Sequence, residues 1–214
     1  MLTKRLHFAL CLIACLFLAN SAFADTVQFM NVSPGQVVTI GGTWHQGGVY
    51  AGVYNILWNG MPLDTFCIDL QDNSSTASIN YGRVALEDAA DPTFGPMGAA
   101  NADVIMRLWN MVYTPSLTNL QAAALQVAIW EVLADSTWDL TAGAFTVSTA
   151  NVRDLANTYL NDVQQWTGRT TLMGLTHEKY QDYAAPIPEP STLLLLGMGL
   201  LGLAGIGRRR LGRK

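Results

Sequence analysis

The chain has 214 residues, half of them hydrophobic and only 13% charged, with a mean hydropathy of +0.22. That is too apolar for a disordered chain. The excess sits in residues 1–24 and 186–214, so the part that must fold is 25–185, a length that suits one domain. Within it, five basic side chains (Arg83, Arg107, Arg153, Arg169, Lys179) stand against fifteen acidic ones, a net charge of −10, which argues against a nucleic-acid partner.

In chain order, Met1–Ala24 has a basic start (Lys4, Arg5), an apolar run Leu6–Ala19 and the small-x-small site Ala22-Phe23-Ala24, the pattern of a secretory signal peptide. Leu12-Ile13-Ala14-Cys15 offers a lipoprotein box as the rival cleavage site, but the apolar run continues through Leu16-Phe17-Leu18 beyond it. Either way the body is exported. Residues 26–70 read as strands. Thr26–Val32 and Gln36–Thr43 are β-branched runs broken at Pro34-Gly35 and Gly41-Gly42. Val49–Trp58 and Met61–Leu70 flank Asn59-Gly60, a strong two-residue hairpin signal. That turn predicts Ile56 opposite Leu63, Val53 opposite Phe66 and Gly52 opposite Cys67, with Cys67 pointing away from the more apolar face of Phe66, Ile68 and Leu70. Asp72–Gly98 reads as a long loop.

Three helices follow. Asn101–Tyr113 carries Val104, Ile105, Leu108, Trp109 and Val112 on one stripe. Thr118–Ala134 opens on Thr118-x-x-Gln121, a capping box. Thr149–Trp166 spaces Val152, Leu155, Tyr159, Leu160, Val163 and Trp166 helically. Thr170–Leu175 reads as a closing strand and His177–Ala185 as a polar linker. The end reads Pro186-Ile187-Pro188-Glu189-Pro190-Ser191, then an uncharged run Thr192–Gly207, then Arg208-Arg209-Arg210-Leu211-Gly212-Arg213-Lys214. The run is short for a single membrane span, and the basic cluster should stay cytoplasmic, leaving 25–185 outside. A permanent anchor is one reading. The combination of Pro188-Glu189-Pro190, short span and basic terminus resembles the PEP-CTERM sorting signal, also catalogued as an ice-binding-protein C-terminal motif. The resemblance implies recognition by exosortase, a membrane transpeptidase-like enzyme, in Gram-negative bacteria that make exopolysaccharide. It further implies passage through the inner membrane and then the cell surface or extracellular matrix. No regular Thr array in 25–185 suggests ice binding.

Cys11 and Cys15 leave with the signal peptide, so the mature chain keeps one cysteine and can form no internal disulfide. Such a thiol pairs between chains, stays free and buried, or serves chemistry. Gln126 is a second oddity, a primary amide whose helical neighbours are Ala122, Ala123, Ile129 and Trp130. Burying it unpaired would cost about 1–3 kcal/mol. It is either a satisfied core amide or the partner of the cysteine, since attack of the Cys67 sulfur on its carbonyl with loss of ammonia makes an internal thioester.

Phe66-Cys67-Ile68-Asp69 and Gln126-x-Ala128-Ile129-Trp130 resemble the two signatures of bacterial thioester domains, surface adhesin modules of Gram-positive bacteria. The resemblance spans about Gly42–Asp139, with Leu125 where the family commonly has Thr. It implies a Cys67–Gln126 bond joining a β-rich portion to a helical portion. Phe66 and Trp130 would shield the bond from water and Asp69 would orient it. It also implies single-use attachment to a surface nucleophile such as a Lys amine. The expected architecture is therefore α+β, a sandwich- or barrel-like β portion packed on a small helical portion, between a signal peptide and a sorting tail. The rival function is a non-covalent exopolysaccharide-matrix or cell-surface binding protein. No turnover motif, cofactor motif or metal-site spacing is present: His45 and His177 stand alone, and Asp69, Asp72 and Asn73 read as a solvated loop, not a Ca²⁺ site.

Overall fold

The computed structural model describes residues 25–43, 45–91 and 95–187. The predicted signal peptide, the span Thr192–Gly207 and the sorting residues Pro188, Glu189, Pro190 and Arg208–Arg210 lie outside them. The fold is α+β. Strands β1 (Asp25–Gly42), β2 (Gly47–Trp58), β3 (Met61–Cys67) and β4 (Ile79–Ala85) precede a two-residue pair, β5 (Ala90–Asp91) and β6 (Gly95–Pro96). Helices α1 (Gly98–Val112) and α2 (Asn119–Ala134), strand β7 (Phe145–Val147), helix α3 (Ala150–Asp162) and strands β8 (Leu172–Thr176) and β9 (Tyr183–Pro186) complete it.

Six antiparallel strands close on themselves in the order β1, β2, β3, β9, β8, β4 and back to β1, with β7 added along Ile40–Gly42 of β1. The ring of pairings fits a barrel-like β portion. The two predicted N-terminal strands are one strand. At Pro34-Gly35 the β1–β2 register shifts, between Val32 and Gly35, and the ladder resumes with Gly35 opposite Gly52. A bulge lets a proline, which has no N–H to donate, interrupt a strand without ending it. Gly52 serves that bulge, because a Cβ there would collide with the Pro34 carbonyl oxygen.

The hairpin follows its turn. Asn59 and Gly60 have φ of 52° and 78°, the positive values a type I′ turn needs. The Asn59 side chain also ties the turn to the start of β1, accepting from Thr26 N–H at 2.8 Å and donating to Asp25 at 2.9 Å. Ile56 pairs with Leu63 as expected, but the ladder stops at Tyr54–Thr65. Strand β3 ends at Cys67, and its last two residues pair with β9, Phe66 with Ala184 and Cys67 with Tyr183. Gly52 therefore does not face Cys67. Both faces of the strand end are covered, since Phe66, Cys67 and Ile68 are all buried.

Helices α1 and α3 pack the predicted stripes inward through Val104, Ile105, Leu108 and Trp109 and through Val152 and Leu160. Helix α2 is different. Every residue from Ala122 to Val132 is buried, because the helix is covered by β1, β2, α1 and α3 together. Two segments read as irregular are structured. Asp72–Gly98 contains β4, which pairs with β1 and β8. The polar linker contains β9, which is buried at Tyr183, Ala184 and Ala185. Among the described residues no helix is long and apolar enough to cross a membrane.

Candidate functional site

The site is built where β3 leaves β2. In the β3–β9 ladder Ile68 N–H donates to Asp182 O at 3.0 Å. Antiparallel pairing alternates bonded edges, so the N–H and C=O of Cys67 point the other way, toward the edge that β2 has vacated. The Gln126 side chain fills that edge. Its Oε1 accepts from Cys67 N–H at 2.9 Å and its Nε2 donates to Cys67 O at 2.8 Å, across 59 residues of sequence. A side-chain amide thus replaces the missing strand residue, and this pairing fixes which end of the amide is nitrogen. Both residues are fully buried.

Trp130, one turn further along α2, lies on the same helical face. Its indole N–H points at the Cys67 sulfur at 3.4 Å. The thiol donates to Asp69 O at 2.6 Å, and the Asp69 N–H approaches the sulfur at 3.4 Å. The Asp69 carboxylate builds the turn that makes this possible, accepting from Gln71 N–H at 2.7 Å and Asp72 N–H at 3.2 Å. It is a buried turn former, not a member of a solvated loop, with 1% of its surface exposed. Phe66 points to the other side of β3, edge-on to Trp109 at 5.1 Å, and seals the strand against α1. Ala128 and Ile129 are fully buried core residues.

The residue that sequence reasoning missed is Gln181. Its Nε2 donates to the Cys67 sulfur at 2.9 Å, and its Oε1 accepts from the Ser74 hydroxyl at 2.5 Å. Ser74 in turn accepts from the Tyr183 hydroxyl at 2.8 Å. The polar run Glu178–Asp182 carries no periodicity that would mark a site, and only the apolar Tyr183-Ala184-Ala185 beside it hints that the segment is buried. Burial pushes the Cys67 thiol well above its ordinary pKa, and the nearby Asp69 pushes it further. Burial likewise raises the hydroxyls of Tyr54 and Tyr183. The thiol is therefore protonated at neutral pH.

A cleft of about 750 Å³ lies on the far side of residues that surround the buried sulfur. Its walls include Phe29, Tyr50, Tyr54 and Trp130, the amides of Asn31, Asn73 and Gln181, and the acids Asp69 and Asp72. Three of the groups that touch the sulfur, Trp130, Asp69 and Gln181, thus form part of its wall. Among the described residues no three or more His, Cys, Asp or Glu side chains are grouped to hold a metal ion.

Residues 186–210 match the PEP-CTERM protein-sorting motif, which bears out the reading of the tail. The motif implies handling by an exosortase and marks the chain as a sorted, exported protein. No curated protein matches the chain in sequence. Among solved structures the chain is similar to the pilus-presented adhesin Spy0125 (Cpa), at 14% identity and a TM-score of 0.46, over 78% of this chain and 49% of that one. The chain spans about half the length of that adhesin chain.

Proposed function

We propose that Cys67 and Gln126 form an internal thioester and that the exported body is a single-use covalent adhesive. The observation that carries this reading is the seating of the Gln126 amide on the backbone of Cys67, deep in the core, beside a sulfur whose neighbours Trp130, Asp69 and Gln181 line a cleft. In the forming step the sulfur attacks the Gln126 Cδ, the Cδ–Nε2 bond breaks, and the thiol proton leaves with ammonia. In the using step an amine nitrogen attacks Cδ, an amide forms, and the sulfur leaves and recovers a proton as the Cys67 thiol. The Cys67 N–H already donates to Oε1, so it can hold the negative oxygen of either tetrahedral intermediate without moving. The acceptor would be a surface amine, met after sorting at the cell surface or in the matrix.

One observation favours the rival reading of a non-covalent matrix or cell-surface binding protein. The Gln126 amide has hydrogen-bond partners as it stands, so its burial needs no thioester to be tolerated. Intact mass separates the two. The wild-type protein should lack one ammonia relative to its sequence mass and take up methylamine at Gln126, while Cys67→Ala shows full mass and no uptake. A wild type with full mass and no uptake leaves the non-covalent reading.

A further inference from the structure

We propose that Gln181 is a further catalytic residue of this centre, donating its Nε2–H with the Trp130 indole N–H to the Cys67 sulfur as the Cδ–Sγ bond breaks. The inference rests on the thioester reading above. When the amine attacks, the electron pair of the Cδ–Sγ bond leaves on sulfur, and the amine proton later reaches it to give the thiol that donates to Asp69 O. Until that proton arrives the sulfur is a thiolate in a fully buried site. Such an anion needs fixed donors, because burial alone disfavours it.

Two side-chain donors converge on it, Gln181 Nε2 at 2.9 Å and Trp130 Nε1 at 3.4 Å. They come from segments distant in sequence, helix α2 and the residues just before β9. Thioester sulfur is a weak acceptor and thiolate a strong one, so these bonds strengthen as charge develops, which is the condition for lowering a barrier and not merely binding. Gln181 cannot turn its oxygen to the sulfur without giving up the Ser74 hydroxyl, itself held by Tyr183. Its main chain is fixed as well, since Gln181 O accepts from the Tyr81 hydroxyl at 3.0 Å and Gln181 N–H donates to Asn73 O at 3.3 Å. The relay Tyr183, Ser74, Gln181 therefore aims an N–H at the reacting atom in advance. Donors fixed in this way need no reorganisation at the moment the charge develops.

The test is Gln181→Met in the full chain, which keeps length and removes the donor, with Trp130→Phe as a second variant. Two rates are read: methylamine uptake, and modification of the Cys67 thiol by a small methanethiosulfonate at fixed pH, using the aminolysed wild type as reference. The second rate follows the thiolate fraction, which a purely packing role would not move while the fold holds by circular dichroism. Each variant should slow both by about tenfold or more. A variant that never acquires the thioester still reports through its free thiol. Wild-type rates in both variants overturn the inference while the thioester stands. Full mass in the wild type overturns the thioester and, with it, the role in bond breaking.

Discussion

Helix α2 buries two polar side chains five residues apart, and they are treated in opposite ways. Gln126 is placed over a strand edge that lacks a partner, and both ends of its amide are paired. Glu131 is buried too, yet among the described residues neither carboxyl oxygen has a hydrogen-bond partner. Its acidity shows the consequence. Burial first, then the charges of Asp135 and Asp139, push the carboxyl up to about 8. The same helix thus holds one polar group because a partner was supplied, and another because it can keep its proton. Burial of a polar side chain marks a built site only when its partners are supplied with it.

The largest expected effect comes from taking the partner away. Gln126→Ala removes the proposed thioester crosslink and leaves the Cys67 N–H buried without its partner, and should cost on the order of 3 kcal/mol in urea unfolding as well as all methylamine uptake. A loss within about 0.5 kcal/mol would break the comparison, since the vacated edge would then need no amide.

The second test sharpens the Glu131 side. A carboxyl raised from its ordinary value makes the folded state bind more protons than the unfolded chain between the two pKa values. Its stabilising effect is complete below about pH 4 and is lost as pH rises toward about 8. Thermal melts from about pH 5 to about pH 9 should therefore show a falling Tm, and Glu131→Gln, whose amide has no charge to acquire, should flatten the curve. Parallel curves for wild type and variant would show that the carboxyl is solvated after all.

The smallest effect calibrates the other two. The Thr118 hydroxyl accepts from Gln121 N–H at 3.2 Å, and the Gln121 side chain accepts from Thr118 N–H at 3.0 Å, closing the cap of the same helix. Thr118→Ala should cost about 1 kcal/mol and leave both the pH slope and methylamine uptake unchanged. A change in either would mean that α2 moves as a unit and that the first two variants report on the helix, not on their own side chains.

The sequence by itself determined the features that are local or periodic. Asn59-Gly60 requires positive φ at adjacent positions and so announces its hairpin; Thr118 and Gln121 announce a helix start; regular apolar spacing announces α1 and α3. The tail is legible for the same reason, since its proline motif, apolar run and basic end are contiguous. Cys67 stood out as a lone thiol and Gln126 as an amide that needed partners, and the fold brings them together with Trp130 of the same signature. Only the tertiary structure decided what depends on contacts distant in sequence. Where β3 leaves β2 is set by β9, 116 residues after Cys67 by its pairing with Tyr183, and no local pattern encodes that exchange. For the same reason a polar run at 177–182 could not be told from a linker until β9 drew Gln181 down onto the sulfur.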